Sequence, residues 1–173
     1  MLRPPALLAP ALLALALPTA ALADGHVEAR MTGTILDRNG GNIGSVSLFE
    51  SASGVVRVTV AADGIPEGGH GIHLHETGVC EGDFSSAGGH VAGDANHGLV
   101  EGGPHPGDLP NGFVPAGATA LNYEALSNWV SVADDLMDED GTALIIHAKP
   151  DDYESQPSGA AGDRIACAVL EAG

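Results

Sequence analysis

Positive charge is what this sequence has least of: six lysines and arginines stand against 23 aspartates and glutamates in 173 residues. No basic cluster offsets that balance, which excludes nucleic acid and anionic membrane surfaces as partners. Residues 76–117 hold no Lys or Arg, and 150–163 hold Asp151, Asp152, Glu154 and Asp163 but no base. Aromatics are scarce, with one Trp, two Tyr and three Phe, so any core must be built from aliphatic side chains. No stretch carries a convincing amphipathic helical period, which argues against a helical domain. Long apolar runs are missing too, except at the start.

That exception is "MLRPPALLAPALLALALPTAALA" (1–23). An early Arg, a short Ala/Leu-rich stretch interrupted by Pro18, and a final Ala-Leu-Ala read as a secretory signal peptide cleaved after Ala23. A membrane anchor fits less well, because the apolar stretch is short and no basic flank follows it. The expected mature chain, 24–173, loses Arg3 and keeps five basic residues against 23 acidic ones, a net charge of −18. Such a chain is exported, soluble and long enough for one domain with a real core.

Short alternating or β-branched stretches recur between Gly, Asp, Asn and Pro clusters, at 27–36, 44–50, 54–61, 70–76, 119–125, 128–132, 142–148 and 164–171. The pattern predicts an all-β sandwich or barrel of about eight strands in one domain. "DRNGGN" (37–42) reads as a hairpin turn, and "DEDG" (138–141) as a solvated turn rather than a calcium loop. Two connections are unusually long, 77–117 and 149–163, and loops of that length are either disordered or functional.

Only two cysteines occur, Cys80 and Cys167. In an exported chain a single disulfide is the default, with a pair of thiolate metal ligands as the weaker alternative. Eight histidines are present, at 26, 70, 73, 75, 90, 97, 105 and 147. In "HGIHLHETGVC" (70–80), His73 and His75 share one face of a strand, while His70 lies on the other with Ile72 and Leu74. His147 shares a strand face with Ile145, and His90, His97, His105 and Asp108 lie in the first long loop. His26 and His70 read as ordinary histidines. Six imidazoles and one carboxylate suit two metals better than one, provided that one imidazole is shared through both ring nitrogens.

The segments "GGHGIHLHETGVC", "SAGGHVAGDANHG", "GGPHPGDLPN", "ALIIHAKPDDY" and "GDRIACAVLE" resemble the copper/zinc superoxide dismutases, and in particular their secreted, periplasmic bacterial branch. The resemblance covers most of residues 27–171 and implies a Greek-key sandwich or barrel of antiparallel strands with two long functional loops. It implies His73, His75, His90 and His147 as copper ligands, and His90, His97, His105 and Asp108 as zinc ligands. It also implies Asp151 as a carboxylate bridging ligands of both metals, Arg164 as the guide for the superoxide anion, and a Cys80–Cys167 disulfide. His90 would be both the bridging imidazolate and a proton carrier in a two-step dismutation that protects the cell envelope.

Two further readings compete: a non-catalytic exported metal-binding or copper-delivery protein, typically with copper ligands missing, and a zinc hydrolase, which needs an open zinc position and a general base. The complete ligand set disfavours both. No self-complementary apolar stripe marks a dimer face, so monomer and homodimer both stay open.

Overall fold

The structure, a computed structural model, describes Met1 and residues 29–173. The expected leader, its cleavage site and His26 lie outside the described residues. Eight antiparallel strands form: β1 (Ala29–Asp37), β2 (Asn42–Glu50), β3 (Val56–Ala62), β4 (Gly68–His75), β5 (Asp108–Val114), β6 (Leu121–Ser127), β7 (Thr142–His147) and β8 (Arg164–Ala172). Their order, β5-β4-β7-β8-β1-β2-β3-β6, brings β5 and β6 into contact and nearly closes a barrel. Pairing of β1 with β8, β3 with β6 and β4 with β7 supplies the Greek-key crossovers.

Period-two alternation places the core. Ile35, Val46, Leu48, Val58, Ile72, Leu74, Leu144 and Ile146 fill the barrel with little or no exposure, and no phenylalanine or tryptophan is needed there. Each such side chain contributes about 1.5–3 kcal/mol by leaving water. The opposite face of β7 is covered as well. Ala143 and Ile145 pack with Phe84, Ala87 and Cys167 into a second, smaller cluster outside the barrel, against which Cys80 also packs. The Cys80–Cys167 disulfide is formed and crosses this cluster, tying the first long loop to β8.

Two expectations need correction. Residues 128–132, expected as a strand, form none. Glu50 Oε2 accepts from Val132 N (2.7 Å), Asp135 Oδ2 accepts from Ser131 N (2.7 Å), and Ser131 Oγ accepts from Asp134 N (3.3 Å). Side chains thus take the backbone donors a ladder would need, and the chain coils into a short π-turn at Val132–Leu136. The eighth strand is β5, which lies inside the segment expected to be all loop. Pro110 and Gly112 hide it in the sequence. Because β5 pairs only with β4, a residue without an N–H is tolerated on its free side. The turn at 38–41 is as expected, with Asp37 Oδ1 accepting from Asn39 N and Gly41 N at 2.8 Å each.

The disulfide closes a segment 87 residues long. Replacing both cysteines by alanine should therefore cost about 4–5 kcal/mol on the chain-entropy account. Urea unfolding of the double variant checks this, and an unchanged midpoint would contradict it.

Candidate metal centre

Strand register builds half of the site. β4 ends on His73 and His75, which turn away from the barrel core because Ile72 and Leu74 turn into it. His147 ends the neighbouring β7, opposite Arg164 at a bulge in β8. The first loop then folds back over β4. Val91 N donates to Leu74 O and Leu74 N to Gly107 O, both at 2.9 Å, and His90 forms an isolated bridge with His75. His73, His75, His90, His97, His105 and His147 are all buried, as are Asp108 and Asp151.

Hydrogen bonds decide which ring nitrogens are left bare. A carbonyl oxygen only accepts, so His75 Nδ1 carries its proton toward Gly88 O (3.1 Å) and His147 Nδ1 toward Gly162 O (3.2 Å). His73 Nε2 donates to Asp151 Oδ2 at 2.9 Å. What remains is His73 Nδ1 with the Nε2 atoms of His75, His90 and His147, all buried and without a hydrogen-bond partner. These four residues offer ligand atoms within 4.8 Å of one another. Four bare lone pairs converging in a buried space are the donor set of a bound cation, and imidazole nitrogen suits copper or zinc.

A second cluster adjoins it. Asp108 Oδ1 lies 2.9 Å from His90 Nδ1, 3.0 Å from His97 Nδ1 and 3.2 Å from His105 Nδ1. His97 Nε2 donates to Asp151 Oδ1 at 3.0 Å, so with one proton on the ring its Nδ1 is bare. A bare nitrogen facing a carboxylate oxygen at 3.0 Å is two acceptors in contact, which only a cation between them relieves. Separations of 2.9–3.4 Å among these atoms match the edge, about 3.3 Å, of a tetrahedron with zinc–ligand bonds of about 2.0–2.1 Å. Gly98 N and His105 N donate to Asp108 Oδ2 (2.8 and 3.0 Å) and aim its other oxygen at the cluster. His90 belongs to both groups.

Electrostatics keeps the donors available. Burial pushes His75 down to about 2 and His147 to about 3. It lowers His73 to about 4, where the Asp151 hydrogen bond offsets part of the effect. Burial would raise Asp151, yet the bonds from His73 and His97 hold it at about 2. Burial would raise Asp108 too, yet the hydrogen bonds with His90 and Gly98 N keep it well below the carboxylate range.

Arg164 sits half-buried beside the first cluster, donating from Nη1 to Phe84 O and from Nη2 to Gly88 O, both at 2.6 Å. A cleft of about 450 Å³, lined in part by His75, His90, His147, Pro157, Ser158 and Arg164, leads to the bare nitrogens. His70 stands apart from both clusters. Its ring spans His147 O (2.7 Å) and Pro66 O (2.8 Å), bracing the end of β7.

The structure brings His73, His75, His90, His97, His105, His147, Asp108 and Asp151 into adjoining clusters, with Arg164 beside them, and further residues support them. Asn111 holds the backbone of Asp151, and Gln156 holds that of His97. Gly159, at φ +66°, lies where a Cβ would strike Asp151 Oδ1 and come within 2.7 Å of His97 Nε2. Nothing in residue type or spacing marks these three.

In metal-free protein the unfolded chain protonates its histidines near pH 6.5, whereas folded His73, His75 and His147 resist down to about 4, 2 and 3. The unfolded state therefore binds more protons below pH 6.5, and stability falls as pH falls, by up to about 1.4 kcal/mol per pH unit for each imidazole. Urea midpoints of the metal-free protein should be lower at pH 5 than at pH 7; equal midpoints would contradict the burial argument.

A family profile described as copper/zinc superoxide dismutase matches residues 42–170. The chain is 37% identical over 151 residues to superoxide dismutase [Cu-Zn] 1 of Aquifex aeolicus (strain VF5), a match covering 83% of this chain and 89% of the relative. Superoxide dismutase [Cu-Zn] of Caulobacter vibrioides is 38% identical over 148 residues, covering 81% of this chain and 84% of the relative. The crystal structure of a SOD-like protein from Bacillus subtilis superposes with a TM-score of 0.73 at 33% identity, covering 81% of this chain and 97% of that one. With the barrel, the paired clusters and these relatives in agreement, the chain belongs to the copper/zinc superoxide dismutase family.

Proposed function

We propose that this protein dismutes superoxide in the cell envelope, using copper at His73, His75, His90 and His147 and zinc at His90, His97, His105 and Asp108. The observation that carries this reading is the set of four buried, partnerless nitrogens at the head of the cleft. Bound copper supplies a one-electron couple, and bound zinc a fixed positive charge. Two superoxide anions and two protons become oxygen and hydrogen peroxide.

The chain's own residues do the rest. Arg164 presents a permanent cation in the cleft, its fork held by two carbonyls so that little rotamer entropy is lost in receiving an anion. Burial lowers its pKa, but a guanidinium so shifted stays charged at neutral pH. His90 keeps Nδ1 toward Asp108, leaving Nε2 as the atom that can hold a proton beside the substrate. Asp151 holds His73 and His97, Gly88 holds His75 and Gly162 holds His147, each in a single tautomer, so these donors need not reorient during turnover. The reading also takes 1–23 as an export leader and 24–173 as one enzyme domain, which accords with a disulfide and an acidic surface outside the cytoplasm.

Removing one ligand from each cluster separates the two metals. His147→Ala should abolish activity with most zinc retained, whereas Asp108→Ala should chiefly lose zinc and thermal stability. Metal analysis beside the activity assay reads both, and the reverse pattern would refute the assignment.

Arg164→Ile removes a positive charge worth about 1–2 kcal/mol to an anion roughly 7 Å away, so the rate should fall about tenfold. With that attraction gone the acidic surface dominates, and the variant's rate should rise with ionic strength as the repulsion is screened. Pulse radiolysis at several salt concentrations and equal copper occupancy checks this; identical rates and slopes for both proteins would leave Arg164 without a guiding role.

A further inference from the structure

The two long loops are joined by a pair of amide clamps that the dismutase reading leaves without a role. Gln156, on the second loop, accepts from His97 N through Oε1 (2.9 Å) and donates from Nε2 to His97 O (2.8 Å). Asn111 does the same to Asp151, accepting from Asp151 N through Oδ1 (2.8 Å) and donating from Nδ2 to Asp151 O (2.9 Å). Each side-chain amide thus occupies both polar groups of one residue's backbone, as a neighbouring strand would. The two clamped residues are themselves joined by the His97 Nε2–Asp151 Oδ1 bond of 3.0 Å.

The order of attachment crosses over. Gln156 belongs to the second loop and holds a residue of the first, whereas Asn111 belongs to β5 and holds a residue of the second. Asn111 reaches Asp151 because β5 bulges there: Pro110 and Asn111 stand opposite Gly71 alone, between the His70–Gly112 and Ile72–Leu109 pairs. Tyr153 closes the arrangement, its hydroxyl accepting from Asn111 N (2.8 Å) and its own N–H donating to Asp151 Oδ1 (2.6 Å). His97 depends on the clamp. Flanking residues find partners in Gly102 O and Asp108 Oδ2, but the main chain of His97 itself is met by Gln156.

We propose that Gln156 and Asn111 are positioning residues that set the zinc-side geometry through the His97–Asp151 bond, so that seating the second loop and retaining zinc are one event. The proposal rests on the reading of His90, His97, His105 and Asp108 as the zinc site. Pro157 and Ser158, next to Gln156, line the cleft, so the same latch holds one wall of the substrate path. Both amides are needed: a glutamate at 156 keeps an acceptor for His97 N but sets a carboxylate against His97 O.

The test uses the full mature chain, with Co(II) as a spectroscopic probe at the zinc site and Zn(II) for affinity by chelator competition. Wild type should give the intense visible bands of tetrahedral Co(II), and hydrogen exchange across 150–163 should slow when Zn(II) binds. Gln156→Ala and Gln156→Glu should each hold zinc about tenfold more weakly, the scale on which partners of metal ligands act. They should show shifted, weaker Co(II) bands and lose the zinc-dependent protection of 150–163. Asn111→Ala should do likewise. Combined with Gln156→Ala it should cost less than the product of the two single losses, because both act through one bond. Urea unfolding of the metal-free variants should match wild type, showing that the barrel is intact. Wild-type zinc affinity, Co(II) bands and protection in Gln156→Ala and Gln156→Glu would overturn the proposal while leaving the site assignment standing. Failure of wild type itself to give tetrahedral Co(II) would overturn both.

Discussion

A single buried carboxylate holds the centre together. Asp151 accepts from His73 Nε2 on one oxygen and from His97 Nε2 on the other, at 2.9 and 3.0 Å. Each bond commits a proton to the far side of a ring and so bares the nitrogen that faces a cluster. The two donor sets are therefore not independent. Displacing Asp151 frees the tautomer of one histidine in each, and the cost of burying that charge is offset by both imidazoles together with Tyr153 N.

The ligands divide by origin, and the division follows from rigidity. His73, His75 and His147 end strands whose inner faces are packed into the barrel core, so their backbones cannot shift without disturbing Ile72, Leu74 and Ile146. His97 and His105 come from a Gly- and Pro-rich loop whose shape depends on the contacts it makes: the disulfide, the second cluster around Ile145, and Asp108, the first residue of β5, as acceptor for Gly98 N and His105 N. His90 lies between, carried by the loop but held to β4 by the bridge with His75. The packing thus sets a strand-held cluster beside one held mainly by a loop.

Charge is arranged against the overall trend of the molecule. The surface is strongly acidic, yet the cleft presents Arg164 with its guanidinium fixed by Phe84 O and Gly88 O. Gly88 O also accepts from His75 Nδ1, so one carbonyl orients both an imidazole of the first cluster and the arginine of the cleft. The disulfide positions that carbonyl, because Cys80 precedes it on the loop and Cys167 follows Arg164 on β8. Crosslink, cation and ligand form one chain of contacts.

Residue types and local periods were enough to read an all-β chain, the shared face of His73 and His75, the six imidazoles with Asp108, and two loops too long to be idle. Those features are local, since alternation and composition act over a few residues. The sequence misplaced one strand, taking 128–132 for the segment that β5 supplies, because Pro110 and Gly112 disguise an edge strand and Glu50 diverts Val132 from afar. Which nitrogen each histidine bares, and that Asn111 and Gln156 clamp Asp151 and His97, only the tertiary structure decided. Those choices are made by partners 13 to 78 residues away, and no local propensity encodes a hydrogen bond across such a span.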